Sequence, residues 1–517
     1  MTYSKGKKFD FVSFFKNHWI IITILTLAII LRLIHLQQNY AIWWDSSIYL
    51  GVAKYIYSAG VNGMWEPYRP LVHPLLLGFF WKIGANLILV AKAFDLIFSL
   101  TTISLTYMIA KQLYSKLTAY YAVLILAIEP LFIMFTGLYL TEPLALTLGL
   151  LAIYLFLNRN TILPSWQKKS KFLLIGSLFA ITALTKFPLG IIFFAALIAR
   201  QLATKFQEKK LFSIRERIHY IQESVWFCIG FSIPFIPYLI FNYIKYNDPL
   251  YPFTSGSWII GTFLWQYDTS FWFYFTDFFA VHQLFSLLAI AIIVFFINKD
   301  YKKEGRLTVY LSALLLFLYF WLQVPRKELR YLIIIYPFFT ILVGSVIASL
   351  QIYSTQILQR ISIQNYWQKL VSVSITIIFV AAIFGAQSAP AFFVDATYSN
   401  YQDSLEKLGD YIEDNNFTEM ILVSSPYIAE HVDNFLFPTA GIDLAEAVYD
   451  HETGKFSYLL LRDCDYVCPE GDLECEKSKS SFFQRVDQEN ILLYLDEYET
   501  KTQSCNLFFY ATEDNFQ

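Results

Sequence analysis

The chain of 517 residues is 56% hydrophobic and 15% charged, against about 25% charged in an ordinary soluble domain, which excludes a globular enzyme free in solution. Its net charge of −2 joins two opposed regions: residues 388–517 hold 26 Asp and Glu against 7 Lys and Arg, and the remainder holds 15 against 32. Apolar stretches long enough to cross a hydrocarbon layer of ~30 Å recur from Trp19 to Gln387 and then stop, so an embedded region, 1–387, precedes an acidic soluble one, 388–517.

Lys5, Lys7, Lys8 and Lys16 precede the first apolar segment, Ile20–Leu36, and positive charge is retained on the cytoplasmic side, which places the N-terminus there. The segment lacks a small-residue cleavage site and is therefore expected to stay in the chain. A long external loop, 38–86, follows. Its amphipathic stretch Trp43–Ala59 and proline-bounded run Arg69–Lys82 are too short for clean spans and predict helices at or dipping into the outer interface.

Leu87–Ala110 returns inward to Lys111 and Lys116, Leu117–Phe135 goes out, and a helix from Thr141 comes back to Arg159. A hairpin around Lys186 makes the next two spans and ends in the basic loop Lys205–Arg217. Val225–Ile244 exits to a polar, aromatic segment, 242–270. Further helices run in to Lys299–Arg306, out to Pro325–Arg330, in to a loop ending at Lys369, and out through Leu370–Ala386. The expected fold class is a polytopic α-helical membrane protein with about 11 transmembrane helices and a C-terminal extracytoplasmic α+β domain. Within that domain Tyr401–Asn415 has helical periodicity, while Met420–Ser424, Tyr458–Leu461 and Ile491–Leu495 read as strands.

Cys464, Cys468, Cys475 and Cys505 all lie in the acidic region, and Cys228 stands alone in an apolar helix. Four cysteines facing an oxidising compartment predict two disulfides, in any of three connectivities. The spacing of Cys464 and Cys468 also permits zinc.

Four clusters carry the candidate chemistry, all on the outer side. Asp45, in Trp43-Trp44-Asp45-Ser46-Ser47-Ile48-Tyr49, sits beside interfacial tryptophans at headgroup depth. A carboxylate there could take a proton from an acceptor hydroxyl or stabilise charge on a sugar ring; alternatively it is a solvated loop acid beside a tryptophan belt. Glu142, in Tyr139-Leu140-Thr141-Glu142-Pro143, could cap its helix and complement the dipole, or supply a second acid to the same pocket. Lys186 interrupts an apolar hairpin, and an ionisable group at membrane depth is a functional candidate; snorkelling is the alternative. Arg326, Lys327 and Arg330 break the positive-inside trend, and guanidinium groups suit an anionic ligand such as phosphate, although Glu328 could pair with them locally. Arg69 and His73, in Tyr68-Arg69-Pro70-Leu71-Val72-His73-Pro74, are further candidates, His73 being the more readily explained by packing.

Taken in order, the Asp45 motif, Arg69-Pro70 followed by Pro74-Leu75-Leu76-Leu77, Thr141-Glu142-Pro143, Thr185-Lys186-Phe187-Pro188-Leu189-Gly190 and Arg330-Tyr331-Leu332 resemble the GT-C glycosyltransferases. The branch resembled most is the protein O-mannosyltransferase-like and aminoarabinose-transferase-like one. The resemblance spans the first 350 residues and implies an inverting transferase that uses a polyprenyl- or dolichyl-phosphate sugar on the extracytoplasmic face. It implies Asp45 as catalytic acid/base, Glu142 as supporting acid, and Lys186, Arg69, Arg326 and Arg330 on the donor phosphate. Trp44, Tyr49, His73 and Tyr331 would line the substrate pocket.

One departure is that the family often has Asp-Glu where this chain has Asp45-Ser46. The turn before Thr141 has no clear Asp-x-Asp, so a divalent metal is an open possibility that the sequence does not support. The partners expected are the lipid-linked donor, the bilayer and an acceptor that is a protein, lipid or glycan, with no nucleic acid. A transporter or lipid flippase is the alternative class, expected to carry charges on several mid-bilayer helices and repeated halves; a non-catalytic membrane scaffold is the third.

Overall fold

The structure is a computed structural model that describes residues 11–37, 43–159, 168–207, 214–262, 269–278, 283–360, 374, 396–437, 456–466, 468, 471–499 and 504–512. The first part is helical: α1 (Phe11–Leu36), α2 (Trp44–Tyr57), α3 (Val72–Lys82), α4 (Leu87–Leu113), α5 (Lys116–Ile128), α6 (Pro130–Met134) and α7 (Thr141–Leu157). It continues with α8 (Lys168–Thr185), α9 (Ile191–Gln207), α10 (Ile214–Tyr246), α11 (Tyr251–Thr262), α12 (Leu288–Ile297), α13 (Glu304–Leu322) and α14 (Tyr336–Arg360). Among the described residues five helical stretches are long and apolar enough to cross a membrane: His18–Leu36, Leu87–Leu113, Ile221–Tyr246, Glu304–Leu322 and Leu329–Gln356. Four shorter apolar helices accompany them. The predicted outward span Leu370–Ala386 lies outside the described residues, apart from position 374.

Two local features depart from the sequence expectation. The predicted single helix Leu117–Phe135 is broken at Glu129, which is extended at φ −67° and ψ 119°. Pro130 disfavours helical backbone in the residue before it, and the Glu129 carboxylate then caps α6 by accepting the Phe132 N–H at 3.0 Å. The second concerns α2, which does not lie open at the interface: every residue from Ser46 to Lys54 is buried. Its polar side faces protein, because the C-terminal region is packed over it.

Helices α8 and α10 pack backbone to backbone. A Cβ on Gly176 would come 2.2 Å from the Phe227 carbonyl oxygen, and one on Gly230 would come 2.3 Å from that of Leu173, so only glycine allows this crossing.

The C-terminal region begins with α15 (Ala396–Asp414) and builds a five-stranded sheet in the order β2-β1-β3-β5-β4, with α16 (Leu473–Glu489) preceding β4. The strands are β1 (Ile421–Val423), β2 (Phe435–Leu436), β3 (Tyr458–Arg462), β4 (Asn490–Glu499) and β5 (Ser504–Thr512). β1 pairs in parallel with β2 and β3, while β5 runs antiparallel to β3 and β4. Side chains alternate across a strand: Leu460, Leu507 and Phe509 join α15 and the α2 residues Ile48, Val52 and Ala53 in one core. From the opposite face, Leu459, Leu461 and Tyr510 pack on Phe482 and Val486 of α16. The disulfides are Cys464–Cys505 and Cys468–Cys475, which selects one of the three connectivities and leaves none of these four sulfurs as a thiolate for zinc.

Candidate active site

Asp45 lies in the first turn of α2, where its charge complements the helix dipole. Both of its oxygens are occupied. Arg69 Nη1 stands 2.8 Å from Oδ1 and Arg330 Nη1 stands 3.0 Å from Oδ2. The chain thus brings positions 45, 69 and 330 into one contact. Burial by itself would raise the Asp45 carboxyl, but Arg69, Arg330 and Lys186 reverse that effect and hold it below the usual carboxylate range.

Each arginine is held by a second acid. Arg69 Nε bonds Glu66 at 2.5 Å, and its guanidinium lies over the rings of Tyr49 at 5.6 Å and Tyr68 at 5.2 Å. Burial pushes Glu66 up, against the opposing pull of Arg69. Glu328 is the second anchor: it pairs with Arg326 and Arg330 and accepts the Tyr331 hydroxyl at 3.2 Å. Arg330 also lies 5.0 Å from the Trp43 ring centroid. Lys327 turns away and donates to the Val324 carbonyl at 3.0 Å.

The first turn of α7, whose N-cap residue Leu140 has no side-chain capping bond, carries Glu142. The Glu142 carboxylate meets the Lys186 ammonium at 2.8 Å and accepts the Thr141 hydroxyl at 3.2 Å. Lys186 occupies the extended residue between α8 and the 3-10 turn Phe187–Gly190, which frees its side chain from the apolar helix faces. His73 is 1% exposed and packs edge-on to Tyr49 at 5.6 Å; burial lowers it to about 3. It reaches the pocket through that ring. Trp44 points the other way, edge-on to Tyr427 and Phe437 of the C-terminal region.

The resulting set is charge-balanced: Asp45, Glu66, Glu142 and Glu328 against Arg69, Lys186, Arg326 and Arg330. Two of its supports have no place in the sequence expectation. Glu66 is an acid three residues before Arg69, a spacing that could have flagged it. Asp95, an acid inside an apolar helix, accepts the N–H groups of Gly137 at 3.0 Å and Tyr139 at 2.9 Å and so fixes the turn leading to Glu142. Ser46, where the resembled family often has an acid, donates its hydroxyl to the Leu138 carbonyl of the same turn.

The sequence profile of the family described as dolichyl-phosphate-mannose-protein mannosyltransferase matches residues 68–238, which include Arg69, Glu142 and Lys186. No curated protein matches the chain in sequence. Among solved structures, ArnT from Cupriavidus metallidurans bound to undecaprenyl phosphate superposes with a TM-score of 0.60 at 11% identity, over 95% of this chain and 98% of that one. An oligosaccharyltransferase from Archaeoglobus fulgidus tethered to an acceptor peptide gives 0.52 at 14% identity, over 97% and 75%. The same archaeon's AglB, in complex with an inhibitory peptide and a dolichol-phosphate, gives 0.50 at 12% identity, over 96% and 75%. The expected resemblance is borne out: this chain has the fold of the GT-C glycosyltransferases.

Proposed function

We propose that the protein transfers a sugar from a polyprenyl- or dolichyl-phosphate donor to an acceptor on the extracytoplasmic face, with inversion. The observation that carries this reading is the Asp45 carboxylate set between Arg69 and Arg330, with the Lys186–Glu142 pair close enough to act on it electrostatically. The carrier phosphate leaves with growing negative charge, and guanidinium and ammonium groups fixed in place stabilise that charge. Asp45 is the base that accepts the acceptor proton as the acceptor oxygen attacks the anomeric carbon from the side opposite the phosphate.

The resting geometry gives this scheme an order of events. With both oxygens bound to arginines, Asp45 is a weak base. A donor phosphate competes for the same guanidinium groups, and each one it draws away raises the proton affinity of Asp45. Base strength then develops only once the donor is seated. Glu142 holds Lys186 toward the phosphate, while Glu66 and Glu328 keep Arg69 and Arg330 from leaving with it.

The test is transfer by purified protein in lipid vesicles supplied with a panel of polyprenyl- and dolichyl-phosphate sugars, read as release of the free lipid phosphate. Mass analysis of lipid-linked donors and glycans in cells with and without the gene identifies the sugar and the acceptor. Absence of donor turnover across the panel, together with unchanged cellular glycans, refutes the proposal.

A further inference from the structure

Lys54 lies in the last turn of α2, nine residues beyond Asp45, or about 13 Å along the helix. Its side chain is 4% exposed, and all three ammonium protons have acceptors. Nζ donates to the carbonyl oxygens of Ala429 at 2.7 Å and Val432 at 2.9 Å and pairs with Asp433 at 2.5 Å. Those acceptors belong to one segment of the C-terminal region, the 3-10 turn Pro426–Glu430 and the residues after it.

The same segment grips the opposite end of α2. Tyr427 and Phe437 pack edge-on to Trp44, at 5.7 and 5.5 Å. Midway, a Cβ on Gly51 would stand 3.4 Å from the Phe435 ring. Glu430 accepts the Tyr139 hydroxyl at 3.4 Å and is itself held by the Gln402 amide at 2.8 Å. Residues 426–437 therefore touch both ends of the helix bearing Asp45 and the turn that leads to Glu142.

A buried ammonium is costly, and an apolar side chain would fill the same space without that penalty. What the charge adds is direction. Two carbonyls and a carboxylate fix the rotation and axial position of α2, which apolar contact does not.

We propose that Lys54 is a positioning residue, through which the segment Pro426–Asp433 sets where α2 holds Asp45. The proposal rests on the glycosyl-transfer reading. It gives the C-terminal region a part in turnover without a group at the reacting atoms.

Two variants test it from opposite sides of the contact. Lys54→Met keeps the stem and removes the donors. Asp433→Lys acts from the C-terminal region, at a side chain 55% exposed, and sets a like charge against the ammonium without disturbing a core. Turnover is measured with the lipid-phosphate sugar found active for the wild type, and amide hydrogen exchange is followed over residues 44–57. A displacement on the order of 1 Å at a reacting group costs about 100-fold, so Lys54→Met is expected to lose about 100-fold in kcat and Asp433→Lys about 10-fold. In both, the donor KM stays within about twofold, because Lys186, Arg326 and Arg330 are not on α2, and exchange over 44–57 rises. Wild-type kcat in folded Asp433→Lys overturns the proposal, as does a loss confined to KM. If the wild type itself turns over no lipid-phosphate sugar, the glycosyl-transfer reading fails; the exchange measurement then decides the anchoring of α2 alone, and unchanged exchange in both variants removes it.

Discussion

Replacing Asp45 with asparagine separates the arginine pairing seen in the structure from the proton acceptance that the proposed reaction assigns to the carboxylate. The substitution keeps size and one hydrogen-bond acceptor but removes the charge shared by Arg69 at 2.8 Å and Arg330 at 3.0 Å. The three side chains are 27%, 15% and 20% exposed, so solvent screens these contacts only in part, and a charge-assisted bond is worth about 1.5–3 kcal/mol. Glu66 and Glu328 remain to hold the arginines, which limits the net loss of stability to about 2–3 kcal/mol. Loss of a general base lowers turnover by about 100- to 10,000-fold. Donor affinity moves the opposite way: with the carboxylate charge gone, both guanidinium groups lose one anionic competitor for phosphate, so the donor Kd stays equal or tightens. The assay pairs single-turnover release of lipid phosphate with equilibrium binding of a non-transferable lipid phosphate. A folded Asp45→Asn protein with wild-type turnover refutes the base assignment, and a donor affinity that collapses with kcat unchanged refutes the competition between carboxylate and phosphate.

Lys186→Met is expected to raise the donor KM by about 10- to 100-fold, matching the loss of about 1.4–2.7 kcal/mol of phosphate interaction, with Glu142 left without its cation; steady-state kinetics over a donor titration checks it. In pH dependence, His73 is buried and lowered to about 3, below the ordinary value of about 6.5. The unfolded chain then binds the proton first, so the stability associated with neutral His73 is present above pH ~6.5 and falls by about 1.4 kcal/mol per pH unit as pH drops toward the folded value. Denaturation of His73→Phe between pH 6 and 4 should show a slope shallower by that amount. Asp45 is depressed instead, so its contribution is present above its unfolded value of ~3.9 and is lost only on further acidification; its effect is absent from that window. Opening Cys464–Cys505, at a sequence separation of 41, should cost about 4 kcal/mol of stability in the C-terminal region, and opening Cys468–Cys475, at a separation of 7, about 2 kcal/mol. Urea melts of the two Cys→Ser pair variants, followed by the fluorescence of the intact protein, give both values.

Much of the candidate site was legible because its members are anomalies in their sequence setting. Asp45 beside two tryptophans, Lys186 within an apolar hairpin and the basic run before Tyr331 each stand out against a 56% hydrophobic chain, and the structure brings all three together. Periodicity also located α2, α3, α4, α7 and α15 to within a few residues. What escaped was interaction at long range. The amphipathic pattern of α2 is the same for a helix on a membrane surface and for one covered by another part of the chain, and only tertiary structure distinguishes them. Lys54 reads as an ordinary polar-face lysine until Ala429 and Val432 arrive from 375 and 378 residues away. α16 has few apolar positions, and β5 lacks a strong turn signal before it, so neither was separable from loop by pattern.

The glycine crossing of α8 and α10 bears on the route that the lipid of the proposed donor would take. With each backbone seated against the carbonyl of the other at Gly176 and Gly230, the helices leave no room for a side chain, and none for a branched hydrocarbon, at that crossing. Under the proposed reaction, a prenyl chain bound near Lys186 would then pass beside this crossing rather than through it. Because Lys186 follows directly from α8, the crossing also ties that ammonium to a tightly packed two-helix unit, so under the proposed reaction a bulkier residue at position 176 or 230 should weaken donor binding, read as a raised donor KM, without touching the site itself.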